Sequence, residues 1–208
     1  MSVTQEQVEE LYIATFNRAS DADGLDYWVN SGLSIDEIAE SFFDQKETEE
    51  KYPADQSNED FVQEIYNNVF SRDGEEAGVD YWTQALETAS VTKEQMILAM
   101  VNGAQGADQG LLENKTEVGL DFANTGLNDI NEAVSVLQGI TSDDTTVATA
   151  HETIMSFMTD TQTETESTLA YITDSFFGTG TQEESNDDSS ASDTDSGNDS
   201  DGTDDLMA

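Results

Sequence analysis

Residues 11–28, LYIATFNRASDADGLDYW, recur later in the chain as residues 65–82, IYNNVFSRDGEEAGVDYW. The two stretches align without a gap. Seven positions are identical, and they pair as Tyr12/Tyr66, Phe16/Phe70, Arg18/Arg72, Gly24/Gly78, Asp26/Asp80, Tyr27/Tyr81 and Trp28/Trp82. Self-similarity of this kind indicates a supersecondary unit that is used more than once. We therefore predict that one structural unit occurs twice.

Apolar residues at helical spacing indicate that the units are helical. Val8, Leu11, Tyr12 and Phe16 follow the i, i+3, i+4, i+8 pattern of one helix face, and the second copy repeats this pattern. Each copy then continues into a further apolar-periodic segment. We therefore predict three helices for each copy, and together the two copies occupy residues 1–106.

Helix starts are marked by patterns in which a Ser or Thr is followed three residues later by Glu or Gln. Such capping boxes satisfy two orphan backbone donors at once, and they are predicted at Thr4, Ser34 and Thr92.

Four further helical segments are predicted beyond the repeats, and no strand pair is apparent. They cover residues 111–123, 130–137, 147–158 and 169–177. The predicted fold class is all-α: two tandem three-helix units, a helical region over 107–177, and a disordered acidic tail over 178–208.

The charge balance excludes whole classes of partner. The chain has 46 Asp and Glu against 6 Lys and Arg, a formal net charge of −40. Binding to a nucleic-acid backbone is excluded because it needs basic side chains to displace counterions. No stretch reaches the roughly 18 apolar residues that span a bilayer, and the N-terminus lacks the pattern of a secretory signal. We predict no nucleic-acid partner and no membrane span.

The sequence offers few residues that could support catalysis. The chain has no cysteine, which excludes disulfides, a thiolate nucleophile and Cys-ligated metals. Its single histidine, His151, has no identifiable nucleophile or orienting acid. We predict that the protein is not an enzyme and assign no catalytic residue.

The repeated Arg and Asp residues suggest a structural clamp. Arg18 precedes Asp26 by eight residues, as Arg72 precedes Asp80. A turn between two helices can bring each guanidinium and carboxylate into a bidentate pair. We predict that the Arg18–Asp26 and Arg72–Asp80 pairs set the angle between the first two helices of each copy.

The adjacent aromatic residues of the motif are candidates for ligand recognition. Tyr27 and Trp28, like Tyr81 and Trp82, are neighbours on a helix, so both members of a pair cannot fully face the core. Ligand recognition by these four aromatic residues is the functional alternative to a purely structural role for the motif.

Acidic residues in the first turn resemble a short calcium loop. Asp21, Asp23 and Asp26 surround a glycine bend, and Ca²⁺ prefers several oxygen ligands. Only one of these aspartates returns in the second copy, as Asp80. Helix capping by Asp21 is the alternative. Residues 193–202 also alternate acids with small residues, and there a solvated polyanion is the alternative to calcium binding.

The repeated motif, Phe16-x-Arg18 followed by Gly24 and then residues 25–28 (LDYW), resembles the DUF4214 family. Members of this family commonly carry tandem units of a form like GRxxDxxGLxYW. The resemblance covers roughly residues 5–105, and residues 114–122 look like a segment that often follows such units. The second turn, residues 72–78, departs from the family pattern because it lacks the usual small-Pro-Asp sequence.

The resemblance implies an all-α module often attached to secreted, calcium-associated and surface-layer proteins, and distantly similar to phycobilisome linker domains. It does not imply catalysis. Many relatives are exported by type I secretion through an uncleaved C-terminal signal, and the acidic tail is compatible with such a signal.

These observations lead to a functional hypothesis with open alternatives. We expect a non-enzymatic extracellular or cell-surface structural or attachment protein, exported without an N-terminal signal peptide. It would bind a cell-surface glycan or itself with the help of divalent cations such as calcium, and its tail would engage type I secretion machinery. The alternatives are an intracellular scaffold or linker for a protein partner, acidity that only reflects a high-salt habitat, and an undetected hydrolase.

Overall fold

A computed structural model of the chain describes residues 2–177, and this part of the chain is helical without any strand. The prediction of an all-α fold is confirmed. The predicted tail, residues 178–208, lies outside the described residues. In chain order the helices are α1 (Gln5–Phe16), α2 (Ala22–Val29), α3 (Ile35–Phe43), α4 (Lys46–Lys51), α5 (Asn58–Phe70), α6 (Glu76–Glu87), α7 (Lys93–Gly103), α8 (Ala107–Asn124), α9 (Ile130–Ser135) and α10 (Thr145–Phe177).

The predicted capping boxes start three of these helices. Thr4, Ser34 and Thr92 each accept a hydrogen bond from the backbone N–H three residues later, and the Glu or Gln at that position bonds back to the cap. These reciprocal bonds satisfy donors that the first helical turn leaves unpaired. The starts of α1, α3 and α7 are therefore encoded locally.

Two parts of the helix assignment differ from the prediction. The segments predicted at 147–158 and 169–177 form one helix, α10. The short helix α4 was not predicted, since its sequence, KETEEK, has no apolar residue from which a periodicity could be recognised. Its second residue, Glu47, pairs with Arg18 of the first copy, so a tertiary contact anchors it.

The repeats interlock instead of forming two separate three-helix units. Helix α7, the third helix of the second copy, packs on α1 and α3 of the first copy. Helix α8 packs on α1, α2 and α5, and therefore bridges both copies. Both copies and the helices that follow residue 106 lie in one compact unit, Met1–Ser167. The remaining unit, Thr168–Ala208, is described only through the helical residues 168–177.

Helix α1 lies at the centre of the core. It is buried on nearly all sides, as expected of a helix surrounded by others. Even Glu9 is completely buried, and its carboxylate accepts hydrogen bonds from the backbone N–H and the hydroxyl of Ser20. Burial raises the pKa of Glu9 to about 7. Gly119 of α8 contacts this carboxylate so closely that no side chain could replace it without displacing Glu9.

A buried polar network joins the C-terminal ends of α1 and α5. Tyr52 donates through its hydroxyl to the Thr15 carbonyl at 2.5 Å, and the Asn68 amide donates to the Ala14 carbonyl at 3.0 Å. Lys115 of α8 donates to the Asn68 carbonyl at 2.7 Å. Burial lowers the pKa of Lys115 to about 8. The network therefore supplies donors to carbonyls near helix ends, where a cation is favoured by the helix dipole.

Candidate functional site

Arg18 is the centre of the first copy of the repeated motif. It follows the C-cap residue Asn17, whose left-handed conformation (φ 55°) ends α1 and turns the chain. Its Nε and Nη2 atoms donate to the two carboxylate oxygens of Glu47 at 2.8 and 2.9 Å, and Nη1 donates to Asp21 at 3.4 Å. Nη1 also donates to the carbonyl of Ala19 at 2.9 Å. The guanidinium thereby joins the end of α1 to the starts of α2 and α4.

Arg72 makes the equivalent contacts in the second copy. It follows Ser71, which has the same left-handed conformation (φ 52°) at the end of α5. Its Nε and Nη2 atoms donate to Asp108 at 3.1 and 2.6 Å, and Nη1 lies 2.9 Å from a carboxylate oxygen of Glu75. Nη1 also donates to the Asp73 carbonyl at 3.0 Å. Each arginine therefore has three partners of the same kind.

The predicted partners of the clamp arginines, Asp26 and Asp80, are wrong. Asp26 is exposed in α2 and accepts a hydrogen bond from Asn30 at 2.8 Å, and Asp80 is exposed on α6. The second helix starts directly after the turn, so an acid one turn further along projects away from the arginine. The acids that do bind are the residue at the N-cap position of the second helix and the second residue of a fourth helix.

The repeated unit therefore has four helices, α1–α4 and α5–α8, and its fourth helix supplies the distant carboxylate. Glu47 and Asp108 were missed because they lie 29 and 36 residues beyond their arginines. The signal in the sequence was an acid shortly after the third helix, a common feature of many helix starts.

The aromatic and glycine positions of the motif pack around each arginine. The Arg18 guanidinium lies 4.9 Å from the Tyr12 ring centroid, and that of Arg72 lies 5.7 Å from Tyr66, both within cation–π range. The tyrosine hydroxyl of each copy abuts a glycine, Gly24 or Gly78, where a Cβ atom would collide with it. The tyrosine, arginine and glycine identities therefore serve one packing arrangement that is built twice.

Each copy also carries an open cleft beside its arginine. The first cleft has a volume of about 240 Å³ and the second about 320 Å³. Both are lined by the motif's tyrosine, phenylalanine, arginine and tryptophan, together with the acid from the fourth helix. The third helix contributes Phe42 to the first cleft and Met100 to the second.

The paired aromatic residues divide between the core and the surface. Trp28 is buried against Phe42, and Trp82 is half-buried, whereas Tyr27 and Tyr81 are 65% and 64% exposed. Each tyrosine ring lies 4.9 Å from its neighbouring tryptophan ring in an edge-on arrangement. The structure therefore presents two tyrosines at equivalent positions, each braced by a tryptophan.

The candidate calcium ligands do not assemble into a metal site in the described part of the chain. Asp21 caps α2 by accepting from the Gly24 N–H at 2.8 Å, and Asp26 bonds Asn30. Asp23 is exposed in the first turn of α2, and Asp80 belongs to the other copy. Within residues 2–177 no group of three or more acidic or histidine side chains is arranged to hold a metal ion. Helix capping, the alternative role of Asp21, is what the hydrogen bond provides.

Comparison with known proteins gives one family. Residues 39–108 match DUF4214, a domain of unknown function. The match begins in α3, includes α4 to α7, and ends at Asp108, so it contains the second cleft with its Arg72–Asp108 pair. The first copy of the motif lies before the matched residues. No curated protein and no solved structure matches the chain. In the described residues, no helix combines the length and apolar character needed to cross a membrane.

Proposed function

We propose that this chain, which belongs to the DUF4214 family through residues 39–108, is a non-enzymatic structural or attachment protein of the cell surface or extracellular matrix. Its helical repeats would bind a cell-surface glycan or another copy of the chain, and divalent cations would assist. The secreted and surface-layer context that the family resemblance implies is the basis for the location.

The observation that carries this proposal is the recurrence of two exposed tyrosines at equivalent positions. An aromatic ring that is about two-thirds exposed gains little from folding, so core packing gives no reason for Tyr27 and Tyr81. Tyrosine suits binding surfaces because it offers a large apolar face together with a hydroxyl. Edge contact with Trp28 or Trp82 limits the motion of each ring, which lowers the entropy that a ligand must overcome.

The second cleft adds a partly exposed guanidinium beside Trp82, whose ring contacts Tyr81. Arg72 is the more accessible guanidinium, with 36% of its side chain exposed against 5% for Arg18. Because Glu75 and Asp108 already neutralise Arg72, a neutral ligand rich in hydroxyl groups fits the second cleft better than an anion. This preference supports a glycan as the ligand.

The large negative charge supports a role for cations in assembly. Two copies with a net charge of −40 repel each other at low ionic strength, and divalent cations would reduce this repulsion. We propose that cations act between carboxylates of different molecules, since none of the described acids forms a dedicated site.

The test of ligand binding uses washed cells of the source organism. The double variant Tyr27→Ser/Tyr81→Ser is expected to bind the cells about tenfold more weakly, because aromatic anchors dominate interfaces. Ile130→Ser is the matched control, since Ile130 is 53% exposed but lies outside the motif. Equal binding of the double variant and the wild type would contradict the proposal.

The test of cation dependence titrates calcium into chelated protein. We expect both the melting temperature and the sedimentation coefficient to rise with calcium. An equal rise with sodium at matched ionic strength would favour adaptation to salt. Cell fractionation separates the remaining alternative, because recovery of the intact protein only from the cytosol would favour an intracellular scaffold.

A further inference from the structure

A third cleft, between α8 and α10, contains the only histidine of the chain. Its volume is about 260 Å³, and its walls include Asp121 of α8 together with His151, Met155 and Met158 of α10. It shares no residue with the two motif clefts. Neither the repeated motif nor the residues matched by the family extend to it.

Two soft thioether donors and one imidazole share one face of α10 at this cleft. His151, Met155 and Met158 follow the i, i+4, i+7 spacing that places side chains on a single helix face. The two methionines are exposed, Met155 by 67% and Met158 by 38%, although the other described methionines, Met96 and Met100, are buried. Packing therefore does not explain why thioethers occupy these two positions.

Asp121 faces the imidazole across the cleft. One of its carboxylate oxygens lies 2.5 Å from His151 Nε2, a buried nitrogen that makes no hydrogen bond of regular geometry within residues 2–177. A ligating histidine commonly presents its second ring nitrogen to a carboxylate, which sets the orientation of the ring. Nδ1 is then the nitrogen left for a cation.

We propose that His151, Met155 and Met158 form a binding site for a soft monovalent cation, Cu(I), with Asp121 as the residue that positions the imidazole. Thioether sulfur selects Cu(I) and imidazole nitrogen also binds copper, whereas Ca²⁺ and Mg²⁺ prefer oxygen. A structural zinc site normally has four imidazole, thiolate or carboxylate ligands, and this cleft offers only one imidazole and one carboxylate, because its two sulfurs are thioethers. The site is thus chemically separate from the general attraction of the acidic surface for hard cations.

The experiment titrates Ag(I), a redox-stable probe for Cu(I), into the full-length protein in a chloride-free buffer. Millimolar Mg²⁺ is included throughout to occupy the surface carboxylates. The chain is labelled with ¹³C at the methionine methyl groups, and each signal is assigned through Met→Leu variants. We expect one Ag(I) per chain and shifts confined to Met155 and Met158, with Met1, Met96, Met100 and Met207 unchanged.

The variants separate the donors from the positioning residue. Met155→Leu/Met158→Leu is expected to abolish stoichiometric binding, and Leu is a good helix former of similar volume, so α10 is expected to stay folded. Asp121→Asn is expected to weaken binding about tenfold, as loss of an outer partner of a ligand does. Met100→Leu is the control with a methionine in another cleft, and it should bind as the wild type does.

Two results would overturn the site. One is Ag(I) binding that persists in the Met155→Leu/Met158→Leu variant, or that shifts the methyl signals of Met1 or Met207 instead of those of Met155 and Met158. The other is the absence of binding in the presence of Mg²⁺. Circular dichroism of each variant, with an unchanged helical signal, ensures that a loss of binding reports the donors. The metal site includes neither Tyr27 nor Tyr81, so the metal-site proposal and the ligand-binding proposal can each fail without the other.

Discussion

The two copies of the motif build the same contacts but leave their arginines in different environments. In the first copy, only 5% of the Arg18 side chain is exposed, and Phe42, which stacks on Phe16 at 5.2 Å, lines the same cleft. In the second copy, Met100 takes the place of Phe42, and the larger cleft leaves Arg72 accessible. Because the seven shared residues are identical, the difference arises from other residues that line the clefts, among them Phe42 and Met100 of the third helices. The first copy therefore serves mainly to hold its helices together, whereas the second copy presents the same groups to solvent.

Tryptophan truncation is expected to separate the copies most strongly. Trp28→Ala should destabilise the protein by about 3–5 kcal/mol, because Trp28 is buried against Phe42 and its loss leaves a cavity. Trp82→Ala should cost about half as much, since Trp82 is half-buried and solvent can fill the space. Urea unfolding of both variants measures the two losses. Equal losses would show that the copies contribute alike to stability.

The buried acid of α1 predicts a pH dependence that belongs to the first copy. The pKa of Glu9 is raised in the folded state to about 7, against an ordinary value near 4.5, so the folded state binds the proton more tightly than the unfolded state. The contribution of Glu9 to the free energy of unfolding is therefore greatest below about pH 4.5. As the pH rises to about 7, this contribution falls by about 3 kcal/mol.

The matched variant is Glu9→Gln, because Gln63 occupies the equivalent position of the second copy. The unfolding free energy of the wild type, relative to that of the variant, should fall as the pH rises from about 4.5 to about 7. The comparison removes the effect of the other carboxylates, which both proteins share. A difference that is constant over this range would contradict the raised pKa of Glu9.

Replacement of the two arginines is expected to separate the copies less strongly than truncation of the two tryptophans does. Arg18→Met should cost about 2–3 kcal/mol, because Glu47 and Asp21 lose a buried partner but are themselves partly solvated. Arg72→Met should cost about 1 kcal/mol or less, since its ion pairs are exposed to solvent and screening. Thermal unfolding at low and high salt checks both values, and only the Arg72 effect should shrink with salt.

The surface tyrosines are expected to matter least for stability. Tyr27→Ser and Tyr81→Ser should each change the unfolding free energy by about 0.5 kcal/mol or less, because both side chains are largely exposed. The same variants carry the expected loss of ligand binding. A large destabilisation by either one would show that its tyrosine is a packing residue, and it would remove the main support for a ligand-facing role.

Local patterns in the sequence were sufficient for the helical class and for the capped helix starts. A capping box at Ser34 or Thr92 involves residues three positions apart, and the periodicity of α1 or α5 involves neighbours within one or two turns. The repeat itself was also visible, because identical residues recur at one fixed offset. These features depend on short-range contacts that a linear sequence displays directly.

The partners of the motif were decided by the tertiary structure. Arg18 and Arg72 bind acids that lie tens of residues away, and α4 exists without any apolar residue of its own. The choice of which aromatic ring is buried, Trp28 and not Tyr27, likewise depends on the position of α3. Such contacts form only when helices that are distant in the chain pack together, and their spacing leaves no mark in the local pattern.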